Sequence, residues 1–142
     1  MYIREGIKMD QITKPTPIAD GDSGPFWEGC QEEKLVIQKC KECDNHIFYP
    51  RYVCPNCMSD DLQWVEACGK GKVYSYTIAR RAAHPSFKAD VPYVVALIEL
   101  KEGVRIMSNI INCDVEEVDC DMDVRVVFKD QEGMLIPKFE LI

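Results

Sequence analysis

The apolar positions of this chain fall into two unlike patterns. After residue 70 they gather into five stretches rich in β-branched and aromatic residues, at 71–81, 93–100, 104–111, 123–129 and 135–141, each bounded by a loop. Stretches of that length and composition predict strands. Glu102-Gly103 fits a tight hairpin between the second and third. Pro137 marks the last as an edge strand or as the end of one. Five strands with longer connections after the first and third suit a small Greek-key barrel of the OB type, with a two-sheet sandwich as the competing arrangement.

Before residue 70 the pattern is different. Residues 10–22, DQITKPTPIADGD, carry two prolines and a glycine and read as an extended arm. Ser23 is placed to cap a short helix over SGPFWEGCQEEK, with Pro25 in its first turn and acids following. Gly29 weakens that helix by about 1 kcal/mol relative to alanine. Phe26, Trp27 and Cys30 fall on one side of it. Their plainer role is to cover the core; the alternative is an aromatic knob that docks into another protein.

Four cysteines then appear in KCKECDNHIFYPRYVCPNCMSDDL, as the pairs Cys40/Cys43 and Cys54/Cys57 with ten residues between them. Two residues between cysteines let one tight turn aim both sulfurs at a point, and the intervening ten allow a strand, a turn and a return. Pro55 fixes a dihedral of the second turn, and Asp44 and Asn45 tolerate the turn conformations after the first. Four thiolates form a closed tetrahedral set for one metal ion, zinc before iron, as in a zinc ribbon or rubredoxin. A closed set leaves no position for substrate, so the metal is structural. Zinc contributes on the order of 10–16 kcal/mol to such a site, as much as a whole domain's net stability. With the shell full, His46 is a loop histidine rather than a ligand.

Composition narrows the setting. At 142 residues the chain can build one substantial core but not two independent ones. Apolar residues make up 46% and charged residues 29%, the balance of a soluble globular protein. The first ten residues carry charges where a signal peptide needs an apolar run, and the longest aliphatic stretch, VVALI, is far short of a membrane span. The expected location is the cytoplasm, where thiols stay reduced. Met9 offers a second start, which makes residues 1–8 an extension. The remaining cysteines, Cys30, Cys68, Cys113 and Cys120, read as buried small apolar residues.

The net charge of −7 argues against general nucleic-acid binding. Residues 113–123 hold six acids and no base. Asp119, Asp121 and Asp123 resemble the start of a calcium loop, but Val124 stands where glycine is needed, so a solvated acidic connection is expected. Residues 67–89, by contrast, hold no acid while carrying Lys70, Lys72, Arg80, Arg81 and Lys88 together with His84. Tyr74, Tyr76 and Arg80 would alternate onto one strand face, as a base-stacking platform does. The plainer reading is core tyrosines with solvated lysines beside them.

FWEGCQEEKLVIQKCKEC, YPRYVCPNC, GKGKVYSYTIARR, HPSF, DVPYVVALIEL and EGVRIMSNI resemble, in order and spacing, the OB-fold acyl-CoA-associated family with a rubredoxin-like zinc ribbon, long catalogued as a domain of unknown function. The resemblance covers roughly residues 20–140, departing at Gly29 and in the acidic loop. It implies an amino-terminal helical hook within residues 1–34, a ribbon at 35–66 and a barrel at 67–142. It also implies an accessory role: members serve thiolase-like enzymes whose own subunit carries the nucleophilic cysteine and acid/base histidines, in complexes that make or break carbon–carbon bonds on acyl-CoA. Archaeal hydroxymethylglutaryl-CoA synthesis, steroid side-chain cleavage, phloroglucinol acyl transfer and anaerobic aromatic degradation are such settings. The chain shows no convincing nucleophile–base pair of its own. On this reading Phe26, Trp27, Lys70, Lys72, Arg80, Arg81 and His84 are the candidates for touching the partner or the CoA phosphates. The competing functions are a nucleic-acid binder and, with iron in place of zinc, an electron carrier.

Overall fold

A computed structural model describes residues 13–142. Residues 1–8 and the start of the arm lie outside the described residues. From Thr13 to Asp20 the arm has no regular structure, and it lies on the hairpin at the far end of the chain. There the Lys14 backbone N–H donates to Glu132 at 3.4 Å, and Gln131 donates to the Pro15 carbonyl at 2.9 Å.

Helix α1 spans Gly24–Gln31, shorter than the sequence suggests. Ser23 occupies the cap position, but its hydroxyl makes no bond to the helix; it is buried against the Asp20 carboxylate instead. The helix stops because Glu33 turns into the left-handed region (φ 58°), which lets the Lys34 N–H close on the Gly29 carbonyl at 2.8 Å. Gly29 is more than a weak point. A Cβ there would stand 2.7 Å from a Val36 methyl and 3.0 Å from the Lys34 carbonyl, so glycine is what lets α1 lie close to the strand that follows.

That strand, β1 (Val36–Cys40), is the centre of a small sheet between β2 (His46–Ile47) and β3 (Leu62–Glu66). The β1–β3 ladder runs antiparallel over five residue pairs, Val36↔Glu66 to Cys40↔Leu62. The return between the cysteine pairs therefore contains only two residues of strand, and His46 sits in β2 opposite Lys39 rather than in a loop. Strand β3 is half-buried from Leu62 to Val65 and exposed at Glu66, which is why no alternation announces it.

Strands β4 (Lys70–Ala79), β5 (Tyr93–Leu100), β6 (Arg105–Ile111), β7 (Asp123–Gln131) and β8 (Met134–Leu141) close into a barrel in the order β4-β5-β6-β8-β7. All pairs are antiparallel except β6–β8. Strict alternation along β5 points Val94, Ala96, Ile98 and Leu100 inward, where they meet Val73, Ile106, Val124 and Phe139. Gly71 sits where β4 lies between β5 and β7; a Cβ there would be 2.4 Å from the Glu99 carbonyl oxygen. Pro137 corrects the edge-strand expectation. It lies inside β8, paired with Phe128 of β7, where the β6 ladder has not yet begun, and Ser108 of β6 donates to its carbonyl at 2.8 Å.

One core runs through the hook and the barrel. Phe26, Cys30, Leu35 and Ile37 pack into the same cluster as the barrel interior. Gln31 adds a polar clamp, accepting from the Leu135 N–H at 3.0 Å and donating to the Leu135 carbonyl at 3.1 Å, so a side chain acts as a strand partner for β8. Among the described residues no helix is long and apolar enough to cross a membrane.

Candidate metal centre and the surfaces around it

The two cysteine pairs fold as near-duplicates. In each, the first cysteine accepts a backbone bond from the residue four positions on: Asp44 N–H to Cys40 at 3.0 Å, Met58 N–H to Cys54 at 2.9 Å. Each of those residues is left-handed (φ 61° and 66°), and each first cysteine donates its own N–H to the next residue's carbonyl, on Asn45 and Ser59. Asp44 suits that conformation; Met58 does not, and nothing in its chemistry signals it. The loop joining the pairs is held by Gln38. This buried side chain accepts from the Arg51 N–H at 2.7 Å and donates to the Arg51 carbonyl at 2.8 Å.

The turns bring Cys40, Cys43, Cys54 and Cys57 together with all four sulfurs within 4.8 Å of one another. Cys40 and Cys57 are 3.5 Å apart, Cys43 and Cys54 3.6 Å. A tetrahedron of 2.3 Å zinc–sulfur bonds has edges of about 3.8 Å, so the four donors fit the ion. The Asn56 side chain, donating to Cys43 at 3.5 Å, and the Asn45 backbone N–H lower the pKa of the Cys43 thiol, while, against the Ser59 backbone bond, desolvation and the neighbouring sulfurs raise that of Cys57, so negative charge gathers first on Cys43. Around the sulfurs, among the described residues, Ile47 and the half-buried Leu62 supply the apolar packing.

The other cysteines are less uniform than expected. Cys30 is buried, and burial pushes its thiol up to about 12. Cys113 is half-buried, and Cys68 and Cys120 are exposed, because their polar loops give them nothing to pack under.

The basic segment and the acidic loop meet each other. Arg80 pairs with Glu116 at 2.8 Å, and Lys72 with Asp123 at 3.6 Å. Lys70, Arg81 and Lys88 make no ion pair among the described residues, and all three are exposed. His84 caps the 3-10 turn Pro85–Phe87: its Nδ1 accepts from the Ser86 N–H at 3.2 Å. The stacking platform does not form. A bulge between Val73 and Ser75 turns Tyr76 opposite Ala96 and against the core, while Tyr74 stays 49% exposed with the Arg105 guanidinium 3.7 Å from its ring centre.

On α1, Phe26 is 1% exposed and belongs to the core. Trp27 packs edge-on to Phe26 and lines a cleft of about 470 Å³ between the helix, the ribbon loop and the barrel. Its indole N–H is buried without an acceptor among the described residues. Phe48, Tyr93, Met107 and Pro137 form other walls. Lys138 and Asn109, their side chains 2.5 Å apart, stand at one end. Neither was legible as a site residue: one lysine inside an apolar strand has no spacing to distinguish it.

Residues 27–63 match the family model of the ChsH2 rubredoxin-like zinc ribbon domain, and residues 64–129 that of the ChsH2 C-terminal OB-fold domain. The chain is 39% identical over 111 residues to the probable enoyl-CoA hydratase alpha subunit of Thermomonospora curvata, a match over 78% of this chain and 34% of that protein. It is 37% identical over 105 residues to a DUF35 domain-containing scaffold protein of Methanocaldococcus jannaschii, covering 72% and 74%. With the benzoylsuccinyl-CoA thiolase subunit BbsA of Geobacter metallireducens it shares 26% identity over 91 residues, covering 62% and 57%. The chain thus spans about a third of the hydratase subunit and more of the other two. A chain in the solved structure of an Ltp2-ChsH2(DUF35) aldolase superposes with a TM-score of 0.80 at 35% identity, covering 89% of this chain and 98% of that one.

Proposed function

The chain belongs to the ChsH2 family, which joins a rubredoxin-like zinc ribbon to an OB-fold domain, and from that premise we propose that it is the accessory subunit of a complex that makes or cleaves carbon–carbon bonds in acyl-CoA thioesters. The observation that carries the reading is the match along nearly the full length of a chain in an aldolase assembly. The relative named as a thiolase subunit directs the proposal toward a thiolase-like partner, and in this reading that partner brings the nucleophilic cysteine and the acid/base histidines.

In this reading Cys40, Cys43, Cys54 and Cys57 hold one zinc ion whose work is structural, and the complex operates in the cytoplasm. The partner meets Trp27 and the exposed aromatic and methionine side chains around its cleft, where rigid anchors concentrate affinity. Lys70, Arg81 and Lys88, the cations left unpaired by the acidic loop among the described residues, set register against acidic groups of the partner or the CoA phosphates. Phe26 supports this surface from below. Nucleic-acid binding is the weaker proposal, because Tyr74 and Tyr76 face different ways and two of the five cations are already paired.

Affinity purification of the tagged chain from its native cell tests the proposal. A thiolase-like protein should co-purify, and Trp27→Ala should weaken the complex about thirtyfold, as truncating a central anchor worth 2 kcal/mol does. Purification as a monomer with acyl-CoA turnover of its own would contradict it.

A further inference from the structure

Lys138 lies on β8 between two buried residues, Pro137 and Phe139, so its side chain leaves the barrel on the outer face. There it stands where two cavities meet, of about 370 and 470 Å³, which share Phe87, Tyr93, Asn109 and Gln131 as walls. Asn109 is fixed by its own bond to the Val94 carbonyl at 2.8 Å, and it offers its oxygen to the lysine. An ammonium has three donors, and among the described residues no carboxylate lies within ion-pair distance of this one. Asp90, the acid whose charge acts on it, is held by Lys14 at 2.5 Å. Burial first, then the charges of Lys129 and Lys14, hold the Lys138 pKa below the usual lysine range. The smaller cavity sets Asp90, Asp130 and Glu132 beside Lys14 and Lys129, whereas among the described residues the lining of the larger one holds no acid, so the shortage of negative charge lies on the side of the larger cavity. Trp27, Phe48, Val95 and Ile136 continue the larger cavity as an apolar trough, and its rim is the turn capped by His84, which carries Phe87.

We propose that this cleft binds a small molecule with an apolar body and a carboxylate, the body lying along Trp27 and Phe48 and the carboxylate on Lys138. A trough of this volume is ordinary for a ligand site. The half-buried cation without an anionic partner selects the carboxylate: a neutral ligand leaves the ammonium as poorly compensated as before, and an anion satisfies it.

The test is calorimetric titration of the full-length, zinc-loaded chain with 4-phenylbutyrate and with its neutral amide. The acid should bind and shift the Trp27 indole N–H resonance. The amide should bind at least about tenfold more weakly, as should the acid to Lys138→Met, since a hydrogen bond to a charged group is lost. Equal binding of acid and amide, unchanged binding of the acid by Lys138→Met, or no binding of the acid by the wild-type chain would each overturn the assignment. Should Lys138→Met fold poorly, the acid–amide comparison on the wild-type chain decides. The experiment needs no partner subunit, so its failure leaves the accessory role standing, and failure to find a partner leaves the cleft standing.

Discussion

The tip of the ribbon buries Cys40, Ile47 and Cys54 and little else, whereas the hook, β1 and the barrel share a cluster of sixteen buried residues. The boundary between these regimes falls within one strand. Ile37 of β1 belongs to the large core, with Leu35 just before the strand, and Cys40, at the end of β1, belongs to the small one. A barrel with that much apolar burial is stable through packing alone; three buried residues cannot offset the entropy of ordering the loop between the cysteine pairs. The metal is therefore a local device. It fixes the tip and its two left-handed turns, and the fold behind it does not depend on it.

Metal removal gives the largest effect expected from this difference. Chelation, or Cys54→Ser, should abolish hydrogen-exchange protection at Asp44, Cys54 and Met58 while Val94, Ile98 and Phe139 stay protected, because zinc supplies on the order of 10–16 kcal/mol to the tip and none to the barrel. Simultaneous loss of protection in both regions would break the comparison. The reciprocal change is Phe139→Ala, which removes a fully buried ring and should destabilise the barrel by about 3–5 kcal/mol in a denaturant titration, with the metal still bound.

Gly29→Ala sharpens the boundary where the hook meets β1. Alanine gains about 1 kcal/mol of helix propensity but must push Val36 aside, and overpacking costs about 1–3 kcal/mol. The net change should be a modest loss, measured as a lower melting temperature; a rise would mean that the contact yields freely. Gln31→Ala leaves the Leu135 backbone groups to water at an exposed site and should cost about 1 kcal/mol.

The smallest effect is one of pH. The Asn112 side chain and Arg125 hold the Glu140 carboxyl below the usual carboxylate range. A depressed carboxylate stabilises the fold above its unfolded pKa, and that contribution fades as pH falls through the folded value. Melting temperature should therefore decline on acidification less steeply for Glu140→Gln than for the wild type.

The cysteine turns were legible because their information is local: spacing, Asp44 and Pro55 describe each turn without reference to the rest of the chain. The barrel was legible because its strands are long and apolar on one side. What escaped the sequence depends on partners far along the chain. Arg80 and Glu116, 36 positions apart, neutralise one cation of a basic patch that looks wholly free in one dimension. The bulge after Val73 turns Tyr76 inward and breaks an alternation that reads as unbroken in the letters. Ser23 looks like a cap, yet Asp20, three residues earlier, takes its hydroxyl. Gly29 reads as a flaw until Val36 is placed against it.

The most direct test of the accessory role is to measure carbon–carbon bond formation or cleavage on acyl-CoA with the co-purified partner alone, with this chain alone and with the two recombined. The account predicts that the partner alone is impaired, this chain alone is inert, and recombination restores turnover, with zinc-free chain failing to restore it. Turnover by this chain alone, or full activity of the partner without it, would contradict the account.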